Sequence, residues 1–222
     1  MAEDAERPGA AWWVPDRLEP GTLRASLQHC QGCELYRDAT QPVPGEGPAD
    51  AAVMVVGEQP GDQEDKAGRP FVGPAGKLLD RALGDAGLDP AAVFRTNAVK
   101  HFRWEAAHGK RLHKGPKRTH ITACGPWLVA EIDMVRPVGV VLLGATAGSA
   151  VFGPGFRVTA MRGQVLSWPE ESTRPHSWTP EWAVATAHPS AVLRSRQRDE
   201  DYQRLVDDLA VAAQLQAGPV TS

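Results

Sequence analysis

The sequence predicts an α/β fold: a single-domain three-layer αβα arrangement around a central, mostly parallel four-stranded sheet. Two observations carry this. Apolar runs that read as fully buried strands end in glycine or in polar turns, and stretches of helical periodicity stand between them. Strands that alternate with helices pair in parallel and are covered on both faces. At 222 residues, with 42% hydrophobic and 23% charged residues, the chain has the length and composition of one globular domain.

Residues 1–20 mix acids, prolines and the Trp12-Trp13 pair, and read as a flexible N-terminal segment without the apolar stretch of a secretion signal. The domain is expected to span 21–215, with 216–222 as a flexible tail. Residues 51–56, AAVMVV, form the first buried strand, which ends at Gly57. Residues 75–86 follow as a helix, with Leu78, Leu79, Ala82 and Leu83 at helical spacing and Gly87 as the stop signal. Further strands are predicted over 93–99, 138–143 and 182–186, and further helices over 121–135, 145–152 and 199–215. Residues 169–180 read as a turn-rich surface excursion. Ligands of parallel sheets sit outside the carboxyl ends of the strands, so the loops after Val56, Val99, Leu143 and Thr186 should line one cleft.

No run of about 18 apolar residues is present, which argues against a membrane span and for a cytoplasmic protein. The formal net charge of −3 argues against a protein that coats nucleic acid. Charge is nevertheless concentrated locally: Lys100, Arg103, Lys110, Arg111, Lys114, Lys117 and Arg118 face the single acid Glu105, a strip suited to local phosphate contact. Within it stands HGKRLHKGPKRTH, residues 108–120. Nearby like charges disfavour protonation of His113, leaving a neutral base or nucleophile, unless the segment is simply a solvated basic loop.

At the predicted strand ends stand Gly57-Glu58-Gln59-Pro60-Gly61-Asp62 and then Gly68 to Gly76, GRPFVGPAG. This matches neither the dinucleotide fingerprint nor the P-loop. It does place a carboxylate beside glycines that admit close backbone approach, with the aromatic Phe71 on the same loop. After the last strand comes HPSAVLR, which opens with His188.

GEQPGDQEDKAGRPFVGPAG, TNAVKHFRW and HPSAVLR resemble the motifs of the uracil-DNA glycosylase superfamily, over about residues 30–209. Within it the chain is most similar to the family X enzymes, the UdgX group, which are related to the iron-sulfur family 4 enzymes. Gln59, where family 4 usually has Ala, and the basic insertion GKRLH carry that finer resemblance. The resemblance implies a uracil-DNA glycosylase-like fold and a monomer acting on uracil in single-stranded and double-stranded DNA. Cleaving an N-glycosidic bond builds positive charge on the sugar and negative charge on the departing base. Glu58 is expected to serve the sugar and deprotonate a nucleophile. His188 is expected to donate to the uracil oxygen that becomes anionic. Phe71 and Asn97 would stack on and read the flipped base. Gly57, Gln59, Asp62 and Ser190 lie within the same motifs as expected binding residues.

Cys30 and Cys33 form a CxxC, and Cys124 is the third cysteine. In a reducing compartment metal binding is the better reading than a disulfide. Family 4 enzymes have a cysteine where this chain has His101, and the UdgX group holds its cluster with three Cys and one His. The resemblance therefore implies a 4Fe-4S cluster on Cys30, Cys33, His101 and Cys124. Ligand type alone leaves structural zinc open.

In the UdgX group the histidine corresponding to His113 bonds covalently to the abasic sugar after excision. The resemblance implies the same here, with Arg111 orienting the loop, flanking cations on phosphates, and His108 and His120 as solvated or phosphate-facing bystanders. The alternatives are an ordinary hydrolytic family 4-like glycosylase using water, and a metal-braced nucleic-acid binding module without catalysis.

Overall fold

A computed structural model describes residues 8–169 and 177–218. The parallel strands are β1 (Val53–Gly57), β2 (Phe94–Asn97), β5 (Gly139–Leu143) and β7 (Trp182–Thr186). Between β2 and β5 lie β3 (Trp104–Ala107) and β4 (Lys110–His113). The helices are α1 (Pro20–Leu27), α2 (Asp62–Ala67), α3 (Pro74–Asp85), α4 (Arg118–Val135), α5 (Gly144–Phe152), α6 (Val158–Met161), α7 (Pro189–Arg194) and α8 (Arg198–Ala217).

Among the described residues the main sheet has five strands, not the expected four, in the order β2-β1-β5-β7-β6. The addition is β6 (Val165–Leu166), which pairs antiparallel with Ala183 and Val184. Two residues are too few to show an alternation, which is why this edge strand left no mark in the sequence. The other pairings are parallel, with Gly57 opposite Asn97 and Leu143 opposite Thr186.

The continuous apolar runs have a direct cause in the layering. On one face Val53, Val55, Val141, Leu143 and Val184 pack against Leu79 and Leu83 of α3 and Leu205 and Leu209 of α8. On the other, Met54, Val56, Val140, Leu142, Ala183 and Ala185 pack against Leu128 and Ile132 of α4 and against Phe156. Each such side chain contributes about 1.5–3 kcal/mol when fully buried. A third apolar cluster joins Leu23 and Leu27 of α1 to Trp127 of α4 and encloses all three cysteines. Within the N-terminal segment expected to be flexible, Gly9 N–H donates to Gly32 O (3.0 Å) and Ala10 N–H to Ala123 O (2.8 Å). Residues 1–7 and 219–222 of the expected flexible ends lie outside the described residues, as do residues 170–176 of the predicted excursion.

The basic segment is more ordered than a solvated loop. β3 and β4 form an antiparallel hairpin, with Trp104 opposite His113 and Ala107 opposite Lys110. His108 (φ 49°) and Gly109 (φ 70°) make its two-residue turn, and positive φ at both positions suits the twist of a tight hairpin. Register then puts Arg111 and His113 on one face and Lys110 and Leu112 on the other.

β5 and β7 approach so closely that a Cβ added to Gly139 would stand 2.1 Å from the Trp182 ring. Gly139→Ala is expected to destabilise the fold by about 1–3 kcal/mol, read as a lower denaturant midpoint; an unchanged midpoint would mean that the β5–β7 contact is slack.

Candidate active site

Glu58, Asn97, Thr146 and His188 stand at or just beyond the carboxyl ends of β1, β2, β5 and β7. Gly57 closes β1, and its lack of a side chain has a specific use. A Cβ there would lie 2.4 Å from Asn97 Oδ1 and 2.8 Å from Phe71 Cζ. The glycine thus lets an amide and an aromatic ring meet over the strand end. Phe71 is buried with φ 57°, an uncommon conformation for a bulky residue, held here by the surrounding packing. Its ring stacks toward His188, with centroids 6.5 Å apart and planes inclined by 24°.

Glu58 has partners on two sides. The Thr146 hydroxyl donates to Oε2, and Oε1 lies 3.5 Å from His113 Nε2. The His113 side chain keeps half of its surface open to solvent, and its ring sits 5.9 Å from that of Phe102. Gln59, expected as a binding residue, braces the hairpin. Its Nε2 lies 3.0 Å from His113 Nε2 and donates to Arg103 O (3.2 Å) and Lys114 O (3.0 Å), while its Oε1 accepts from Arg103 N–H.

His188 Nδ1 accepts from Ser190 N–H (3.2 Å) and lies 2.9 Å from Ser190 Oγ, so in the neutral ring the proton is on Nε2. Burial, aided by the charges of His113 and Arg194, lowers its pKa from 6.5 to about 4. The ring is therefore a neutral N–H donor at physiological pH.

Arg111 holds the hairpin down. Its guanidinium pairs with Asp62 Oδ1 (2.6 Å) and with Asp65 Oδ2 (2.6 Å), reaches Thr40 Oγ1, and covers the rings of Phe102 and Trp104. The Asp62 pKa is lowered, first by its hydrogen bond from Lys66 and then by Arg111. Lys114 pairs with Glu105 at 2.9 Å. The strip is thus partly neutralised by its own Glu105 and by Asp62 and Asp65 of α2, and Lys110, Lys117 and Arg118 are its exposed cations.

His120 departs from the expectation of a solvated bystander. It is almost fully buried, its Nδ1 accepts from Lys117 N–H, and its Nε2 meets Glu34 Oε1 at 2.9 Å. Position three of α4 makes it a helix cap, which composition alone does not separate from a loop histidine. His108 is exposed in the hairpin turn.

The cysteines and His101 are all buried. Trp127 Nε1–H donates to Cys30 Sγ (3.2 Å) and Lys100 N–H to Cys124 Sγ (3.3 Å). Burial pushes the Cys124 thiol up to about 12 and the His101 pKa down to about 4. Among the described residues, no three His, Cys, Asp or Glu side chains already stand at metal-ligand geometry.

Sequence reading missed Thr146, Asp65 and Phe102 as parts of the site. Asp65 could have been found from its position three residues after Asp62, which puts both carboxylates on one face of α2.

Because the unfolded chain protonates the His188 imidazole near pH 6.5 and the folded chain near 4, falling pH through that window favours unfolding. Stability should fall between pH 7 and pH 4.5, and by less in His188→Gln, as read by urea midpoints. Identical pH dependence in the two proteins would mean that His188 is not held neutral.

Residues 44–210 match the uracil DNA glycosylase superfamily. The chain is 35% identical over 199 residues to a protein of Sulfurisphaera tokodaii described as a type-4 uracil-DNA glycosylase, covering 86% of this chain and 84% of that protein. A type-4 uracil-DNA glycosylase of Thermotoga maritima is likewise 35% identical, over 78% of this chain and 82% of its own length. A type-5 uracil-DNA glycosylase of Pyrobaculum aerophilum is 34% identical over 59% of this chain and 61% of its own. With the match running through every strand of the main sheet and every residue of the cleft, the chain belongs to the uracil DNA glycosylase superfamily.

Proposed function

We propose that this protein excises uracil from DNA, single-stranded and double-stranded, as a cytoplasmic monomer. The observation that carries the reading is the convergence of Glu58, Asn97, Phe71 and a neutral His188 on one cleft. In it the flipped uracil stacks on Phe71, and the Asn97 amide pairs with its Watson-Crick edge. As the C1′–N1 bond breaks, electrons pass to the base, and His188 Nε2–H donates to the uracil oxygen where negative charge collects. The Glu58 carboxylate, oriented by Thr146, faces the cationic sugar. Exposed Lys110, Lys117 and Arg118 supply phosphate contacts.

What attacks C1′ has two readings. The type-4 relatives support water, deprotonated by Glu58, with a free abasic site as product. One observation favours the UdgX-like reading: His113 Nε2 lies 3.5 Å from Glu58 Oε1, on a hairpin fastened by Arg111 and Gln59. In that reading Glu58 takes the proton from His113 Nε2–H as the freed Nε2 lone pair forms the bond to C1′, which leaves a neutral N-alkylated imidazole and a protonated Glu58.

Cys30, Cys33, Cys124 and His101 are proposed to hold a 4Fe-4S cluster, which would brace the base of the hairpin. The donor set suits it: the three cysteines and His101 are buried, and the Cys30 and Cys124 sulfurs each accept an N–H hydrogen bond, as the sulfur ligands of a cluster do. Closing the ligand set requires these side chains to converge further than they do without it.

Two measurements test these statements. With a labelled uracil oligonucleotide on a denaturing gel, water attack predicts alkali-labile abasic DNA without an adduct, whereas capture predicts a shifted band that His113→Ala abolishes. Release of no uracil in either case would overturn the glycosylase reading itself. Purified protein should be brown, absorb visible light, and contain about four iron atoms per chain for a cluster of this type; a colourless preparation with stoichiometric zinc would replace the cluster by zinc.

A further inference from the structure

Beneath the uracil cleft lies an ion pair that the proposed chemistry does not use. Lys100 is fully buried, and its Nζ pairs with Glu131 of α4 at 2.6 Å. All three ammonium hydrogens have acceptors: Glu131 Oε2, Thr96 Oγ1 (2.6 Å) and the backbone carbonyl of Asn97 (2.8 Å). The carboxylate is equally occupied. Its Oε2 also accepts from Thr96 Oγ1 and its Oε1 from Gly45 N–H at 2.8 Å. The main chain of Lys100 is held as well, with its N–H on Cys124 Sγ and its carbonyl accepting from Val43 N–H.

Stability alone is a poor explanation for this arrangement. Desolvating two charges costs as much as their attraction returns, and a well-packed apolar pair would serve the core at least as well. What the network does supply is fixed geometry, and the residue it fixes is Asn97. Asn97 is the last residue of β2, and the N–H half of the peptide that follows it is held on β1, where Ala98 N–H donates to Gly57 O (2.9 Å). Lys100 holds the other half, its Nζ gripping the Asn97 carbonyl, while the Asn97 side-chain amide lies against Gly57.

We infer that Lys100 and Glu131 are positioning residues for base recognition: the buried pair holds the Asn97 peptide so that its side-chain amide meets the uracil edge in register. The inference rests on the reading of Asn97 as the uracil-reading amide. It also makes α4, which carries Glu131 and Cys124, part of the uracil pocket without touching the base. A displacement of about 1 Å at a reacting centre can lower a rate about 100-fold, so loosening this one peptide should be visible in the chemistry.

The experiment is a double-mutant cycle. Removing one charge alone would strand the other in the core, so both are replaced together in Lys100→Met/Glu131→Gln. Lys100→Arg, which keeps the charge but relocates its donors, serves as a second probe if the double variant does not fold. Single-turnover excision and inhibition by free uracil are measured in each, with and without Asn97→Ala, alongside the melting temperature and metal content. We expect excision to slow about 10- to 100-fold and uracil inhibition to weaken about 10-fold in folded, metal-replete protein. In the Asn97→Ala background the same replacements should add less than about threefold, because the group they position is gone. Two outcomes would overturn the inference: full activity and uracil affinity in a folded variant, or effects that simply add to those of Asn97→Ala. If Asn97→Ala leaves both readouts at wild-type values, the assignment of Asn97 to uracil falls, and this inference with it, while excision by Glu58 and His188 stands.

Discussion

Covering the parallel sheet on both faces leaves its strands little room for polar side chains except where they end. In β1, β5 and β7 nearly every residue is apolar and buried, and the polar groups gather at the carboxyl edge. Two that remain inside, Thr96 and Thr186, are each tied to a buried carboxylate, Glu131 and Asp208. This constraint explains why residues as distant in sequence as Glu58, Asn97, Thr146 and His188 meet. The cleft is where the sheet permits polarity, and the proposed base chemistry draws on what collects there.

The second determinant is the fastening of the basic hairpin. A strip of cations would repel itself and hang in solvent, yet Asp62 and Asp65 on α2 take up Arg111, and Gln59 ties the strand to the loop that bears Glu58. Charge that looks like a nucleic-acid patch is therefore divided. Arg111 is spent on the protein's own architecture, and Lys110, Lys117 and Arg118 remain exposed. The same division brings His113 to Glu58, the geometric fact behind the choice between water and histidine as the acceptor.

Much of this was legible in the sequence because it rests on local pattern. Unbroken apolar runs marked the buried strands, helical spacing marked α3, α4 and α8, and glycine at residue 57 marked the turn into the cleft. The misses have equally specific causes. β6 is too short for any periodicity, and the hairpin is made of charged residues whose strand character comes from cross-strand pairing and a two-residue turn. His120 was misjudged because neighbouring cations suggested solvent, whereas its place at the start of α4 and the Glu34 carboxylate draw it inside.

By itself the sequence determined the parallel α/β core and the order in which Glu58, Asn97 and His188 reach its edge, since both follow from hydrophobic pattern and from motifs contiguous along the chain. Only the tertiary structure decided that Arg111 faces inward, that Gln59 braces His113, and that Lys100 and Glu131 sit beneath Asn97. The Arg111–Asp62, Arg111–Asp65, Gln59–His113 and Lys100–Glu131 contacts join residues 31 to 54 positions apart, and their existence depends on how helices and hairpin pack over the sheet, a distance no local pattern can measure.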